Sequence, residues 1–89
     1  MEIVGHLIDG KNVTENIATM PLTNPATGIQ VSELAMASAE QTRSAIEAAS
    51  SAYPSWRATP PAKRAQVMFR FKSLLEKNST EIGYLIGRE

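Results

Sequence analysis

Few side chains in this sequence could take part in chemistry. There is no cysteine, which removes the thiolate nucleophile, the disulfide and the soft metal ligand together. His6 is the single imidazole, so a site built from several histidines is excluded. No motif sets an acid or a nucleophile beside it, and it reads as a structural or exposed histidine rather than a proton-transfer group. Trp56 could stack on a base, but in a proline-flanked connector it reads more simply as a plug between two helices. Lys63, Arg64, Arg70 and Lys72 could gather phosphate, yet their spacing spreads them around a helix, the pattern of a solvated face. Glu76 and Glu81 form no carboxylate pair. The glycines (Gly5, Gly10, Gly28, Gly83 and Gly87) are scattered, with no glycine-rich strand-to-helix turn to cradle a dinucleotide. No catalytic, cofactor-binding or side-chain metal residue is assigned.

The elements that carry these residues fall into two kinds. Leu7-Ile8, Asp9-Gly10 and Lys11-Asn12-Val13 read as a hairpin closed by a two-residue turn. Thr14 to Ala18 read as loop. Met20 to Thr23 lead into Asn24-Pro25-Ala26-Thr27-Gly28, where proline presets a turn and glycine accepts positive φ. The returning strand carries Ile29 and Val31. Its alternation breaks between Val31 and Leu34, the mark of a bulge.

At Ser38 the apolar period changes from two to 3.6. Ser38-Ala39-Glu40-Gln41 fits a capping box. Thr42, Ala45, Ile46, Ala49, Ala52 and Tyr53 form one stripe of a helix that Pro54 is expected to stop. Ser55 to Ala58 read as connector. Thr59 is the expected N-cap of a second helix, with Pro60 at its first position. That helix runs to Lys77 and is apolar at Ala65, Val67, Met68, Phe69, Phe71, Leu74 and Leu75. Asn78 is expected to close it in a left-handed conformation. Ser79 or Thr80 then caps a third helix carrying Ile82, Leu85 and Ile86. The layout is an α+β fragment: two hairpins over residues 1–37, then helices near 39–53, 60–77 and 79–89 within a segment 38–89. Together these form one incomplete domain.

Bulk properties agree with incompleteness. A chain of 89 residues buries only roughly 60 to 65% of the surface its unfolded form exposes. Three amphipathic helices and two hairpins offer more apolar surface than they can cover, so a molten, oligomeric or aggregation-prone chain is expected. Nine basic residues balance nine acidic ones. That gives no long-range drive toward nucleic acid or an anionic membrane. The first residues lack a basic segment followed by an apolar core, so a cytoplasmic location is expected.

Several stretches, in order, resemble the start of the aldehyde dehydrogenase superfamily. His6-Leu7-Ile8-Asp9-Gly10-Lys11 resembles its opening hairpin and Asn24-Pro25-Ala26-Thr27-Gly28 its second turn. Ala39 to Tyr53, a proline and then Trp56 resemble its first alanine-rich helix. Pro60 to Glu89 resembles the helical pair leading into its dinucleotide-binding region. Three stretches resemble the acylating branch that acts on methylmalonate semialdehyde: His6 to Gly10, Trp56-Arg57-Ala58-Thr59-Pro60 and Met68-Phe69-Arg70-Phe71-Lys72.

The resemblance implies an N-terminal piece of that α/β fold and an oligomeric parent enzyme. The parent would use a cysteine, NAD and coenzyme A to turn a methylmalonate or malonate semialdehyde into an acyl-CoA. Neither NAD nor coenzyme A has a site in these residues, and the chain by itself is expected to be non-catalytic. The family's monovalent-cation contact would fall on the backbone carbonyls of Leu22 and Thr23. The expected partner is the remainder of the dehydrogenase or a complementing chain. A rival reading is a small free-standing interaction module that docks its apolar helix faces on another protein.

Overall fold

The computed structural model describes residues 2–15 and 18–89. Five short strands precede three helices: β1 (Ile3–Val4), β2 (His6–Ile8), β3 (Lys11–Val13), β4 (Thr19–Thr23), β5 (Gln30–Ala35), α1 (Ala39–Ala58), α2 (Pro61–Lys77) and α3 (Ser79–Arg88). β2 and β3 make a two-stranded sheet, and a second sheet runs β1-β5-β4.

The first hairpin closes as expected. Asp9 and Gly10 both take positive φ, 52° and 72°, as a two-residue type I′ turn requires. Just before it, Gly5 lets the chain pass against β3. A Cβ there would lie 2.5 Å from the Val13 carbonyl oxygen. Of the expected loop Thr14 to Ala18, residues 14, 15 and 18 are irregular, and Asn16 and Ile17 lie outside the described residues.

In the second hairpin, the Asn24 side chain accepts from the Ala26 amide at 2.8 Å. The Asn24 carbonyl accepts from the Gly28 amide at 2.8 Å. The Asn-Pro turn therefore satisfies its own backbone. Leu22 pairs with Ser32 and Thr23 with Gln30, which leaves Val31 as the extra residue of a bulge. The Met36 amide donates to the Ala18 carbonyl at 2.8 Å. By antiparallel alternation, Met20 and Leu22 then face β5, while Thr19, Pro21 and Thr23 face outward. Pro21, which lacks an N–H, so occupies an outward position of an edge strand. On the other side of β5, the Glu33 amide donates to the Glu2 carbonyl at 2.9 Å and begins the parallel pairing with β1.

The capping box is present. The Ser38 hydroxyl accepts from the Gln41 amide at 3.1 Å, and Gln41 Oε1 accepts from the Ser38 amide at 2.9 Å. Gln41 also donates to the Glu15 carbonyl at 3.0 Å, tying the helix start to the strand region.

Three helix boundaries differ from expectation. α1 does not stop at Pro54 but continues to Ala58, so residues 55–58 are helix rather than connector. Proline forfeits only the bond from its own missing N–H. Downstream, the Ser55 hydroxyl donates to the Ala52 carbonyl at 3.1 Å and Thr59 to the Ser55 carbonyl at 2.8 Å. Thr59 closes α1 instead of opening α2, which begins one residue later. Pro60 is the extended N-cap and Pro61 the first helical residue, because only the second proline of the pair is followed by a non-proline. Asn78 has φ −105° and ψ 15°, not the left-handed conformation. Its side chain donates to the Leu74 carbonyl at 2.8 Å, capping α2 without a reversal, and α3 begins directly from Asn78 rather than from a Ser79 or Thr80 cap.

The molecule is a thin slab of 47 × 34 × 15 Å. Its radius of gyration is 16.7 Å, against roughly 12 Å for a compact domain of this length. Among the described residues, Ala35 is the one buried hydrophobic residue and Ser32 the one buried polar residue; both belong to β5. None of the three helices contains a buried residue.

Candidate functional site

Helix N-termini are the usual place for a phosphate, and none here suits one. At α1 the capping box already uses a first-turn amide. At α2 the first residues are Pro60 and Pro61, which have no N–H to offer. α3 starts from Asn78 directly after α2, with no loop between the two helices, and its Ile82 amide donates to the Asn78 carbonyl at 3.0 Å. No glycine-rich turn precedes any of them. The residues present do not fit a dinucleotide pyrophosphate.

The singled-out residues are dispersed. His6 is half-buried in β2, and its Nε2 is shielded from solvent with no protein partner. It borders a cleft with Gln41, Thr42 and Ala45 that holds no acid or thiol. Trp56 lies in the last turn of α1 and is 42% exposed, so it does not plug a gap between helices. Glu76 pairs with Lys72 at 3.6 Å, four residues along one helix. Exposed pairs of this kind stabilise little. Thr23's carbonyl is directed outward from β4, while Leu22's is directed at Ser32, so the two face opposite sides of the strand. Among the described residues, no group of three His, Cys, Asp or Glu side chains could hold a metal ion. No helix is long and apolar enough to cross a membrane, again among the described residues.

What the helices present is apolar surface. The alanine half of the α1 stripe turns toward β2: Ala45, Ala48, Ala49 and Ala52 share a cleft of about 280 Å³ with Leu7, Ile8 and Asp9. The large half, Ile46 and Tyr53, is exposed. At 100° per residue, the apolar positions of α2 cover about two thirds of its circumference. Phe69 is 68% exposed and Phe71 53%, and on α3 Tyr84 and Ile86 are 68% and 72% exposed. A helix apolar on most sides is built to be covered on more than one side. Arg64 interrupts the broad apolar arc of α2. It is half-buried, and its Nε has neither solvent nor partner. Nothing in the residue pattern marked Arg64 apart from the neighbouring cations; only its burial does so.

Strands that pair but enclose no core, and helices that present their apolar faces outward, have the architecture of one segment of a larger α/β fold. Residues 13–89 match the aldehyde dehydrogenase family, and the chain belongs to that family. Over all 89 residues it is 45% identical to a malonate-semialdehyde dehydrogenase of Pseudomonas aeruginosa, of which it covers 18%. The crystal structure of a methylmalonate-semialdehyde dehydrogenase from Oceanimonas doudoroffii superposes on the whole chain with a TM-score of 0.96 at 53% identity. A Sinorhizobium meliloti protein assigned the same activity and complexed with NAD does so with a TM-score of 0.94 at 39% identity. The chain spans 18% of the length of each of those two. It corresponds to the N-terminal segment of full-length members.

Proposed function

We propose that these residues are the N-terminal segment of an NAD-dependent, CoA-acylating dehydrogenase of malonate or methylmalonate semialdehyde, and that they supply structure rather than catalysis. One observation carries the reading: the whole chain, not a motif within it, matches semialdehyde dehydrogenases in sequence and in backbone. The acyl-transfer step needs a thiolate to hold the acyl group, and no cysteine is present here. When bound, NAD accepts a hydride and coenzyme A accepts the acyl group. The residues of this chain offer neither a cradle. Their part is to present the helix faces on which the rest of such an enzyme packs, in the cytoplasm. A monovalent cation at the carbonyls of Leu22 and Thr23 belongs to the same reading, Thr23 being the better directed, with its other ligands outside these 89 residues. The exposed faces also suit a free-standing docking module, but the match to dehydrogenases along all 89 residues favours the first reading.

The test is complementation. The purified chain, given either semialdehyde with NAD and coenzyme A, is expected to form no NADH and to show no saturable binding of either cofactor by calorimetry. Co-expressed with the remainder of the Oceanimonas doudoroffii enzyme, it is expected to restore NADH formation that the remainder alone lacks. Turnover by the chain alone, or failure to restore it, would overturn the reading.

A further inference from the structure

Charge is unevenly spread along the chain. Residues 48–75 contain no acid and five bases: Arg57, Lys63, Arg64, Arg70 and Lys72. Four of these bases are exposed, and Arg64 alone is half-buried. It is also the one half-buried residue of α2, all the others being exposed. Its Nε is shielded from solvent and has no hydrogen-bond partner.

The place of Arg64 on the helix raises the stakes. At 100° per residue it lies within about 20° of both Phe71 and Leu75. Val67 and Met68, one turn on, flank it, and all four apolar side chains are exposed. Lys63, Arg70 and Lys77 lie about 100° or more away, on the polar side. Arg64 therefore stands in the middle of the apolar arc, and whatever covers that arc covers the guanidinium as well. A charge buried without a partner is strongly destabilising. This chain does not supply the partner. Glu76, the one acid of α2, lies about 120° round the helix from Arg64 and pairs with Lys72 at 3.6 Å. The last acid of α1 is Glu47, well before its end at Ala58.

We propose that Arg64 is an anchor for assembly: the part of the parent enzyme that packs over Val67, Met68, Phe71 and Leu75 brings an aspartate or glutamate whose carboxylate receives the guanidinium. This rests on the reading above that the chain is one segment of a dehydrogenase, and it specifies what the covering surface carries. A carboxylate fits because the coplanar N–H donors of arginine, Nε among them, match its two oxygens. A purely apolar cover would leave those donors unpaired.

Amide exchange tests this in a single polypeptide made of these 89 residues followed by the remainder of the Oceanimonas doudoroffii enzyme. Arg64→Met keeps an apolar stem and removes the charge. It should speed exchange in α2 by about hundredfold or more, because a carboxylate is then buried alone. Arg64→Lys keeps the charge but loses the fork, and should speed it by only about tenfold. In the isolated 89-residue chain, where nothing covers α2, Arg64→Met should change exchange by less than about twofold. Unchanged or slower exchange with Arg64→Met in the joined protein would overturn the proposal, since the face would then need only apolar cover. So would an Arg64→Lys variant as damaged as Arg64→Met, or an equal loss in the isolated chain, which would put the role of Arg64 inside these residues. Exchange is read whether or not the joined protein forms NADH. An unsubstituted joined protein that forms none would count against the dehydrogenase reading instead, so the two fail separately.

Discussion

The strand region and the helical region meet their physical requirements in opposite ways. Residues 2–38 close most of their accounts locally. The Asp9-Gly10 turn, the self-bonded Asn24 turn, the β4–β5 ladder and the Ser38 cap pair backbone groups within a short span, and both buried residues lie there. Residues 39–88 are three helices broken only at Thr59–Pro60 and Asn78, yet they contain no buried side chain. Helical hydrogen bonding can thus be extensive where apolar burial has barely begun. A helix in water draws most of its stability from packing its apolar face. The helical half depends on a surface that it does not itself contain.

The broadest way to break this contrast is to look for tertiary closure in the helices. The isolated chain is expected to show helical circular dichroism, to bind ANS, and to melt without a cooperative transition. A sharp two-state melt from a monomer that ignores ANS would show that α1, α2 and α3 close on one another after all.

Within the strand region the largest single effect falls at Gly5. Gly5→Val sets a branched side chain against the Val13 carbonyl, where even a Cβ would lie at 2.5 Å. Forced overpacking of this kind costs about 1–3 kcal/mol. Amide exchange at Lys11 to Val13 should therefore speed up by tenfold or more; unchanged protection would mean that β2 and β3 do not need this approach.

At the junction of the two regions, Ser38→Ala removes the acceptor for the Gln41 amide. Loss of such a cap costs about 1 kcal/mol. Amide exchange over the first two turns of α1 should rise about fivefold while α2 is untouched. The smallest effect is expected at Phe71, whose ring is 53% exposed. Phe71→Gln should leave helical circular dichroism unchanged and amide exchange in α2 within about twofold, as a surface substitution does. Exchange in α2 faster by about tenfold or more would reveal a covered face that the contrast denies.

The same contrast explains what could be read from the residues. Asp9-Gly10, Asn24-Pro25 and Ser38-Gln41 were legible because each is a short-range requirement, a dihedral or a bond within a few positions. β1 was not, because its two residues gain a partner only from β5, thirty positions away. The end of α1 was misplaced because Pro54 removes only one bond, while the hydroxyls of Ser55 and Thr59 donate to the Ala52 and Ser55 carbonyls on either side of it. Asn78 was read as a reversal, but its amide group caps α2 in place. For the site, the missing thiol and the missing phosphate turn were plain in the residues. The half-buried Arg64 and the opposed directions of the Leu22 and Thr23 carbonyls depend on placement in space.

Pro21 determines how this chain can meet another. An exposed strand edge is a template on which foreign strands grow into fibres. Along the outer edge of β4, the middle position offers an oxygen but no hydrogen, so an arriving strand finds its ladder broken after a single rung. The opposite edge of that sheet, β1, is two residues long. This sheet is therefore a poor seed for cross-β growth, even in a chain with so much bare apolar surface.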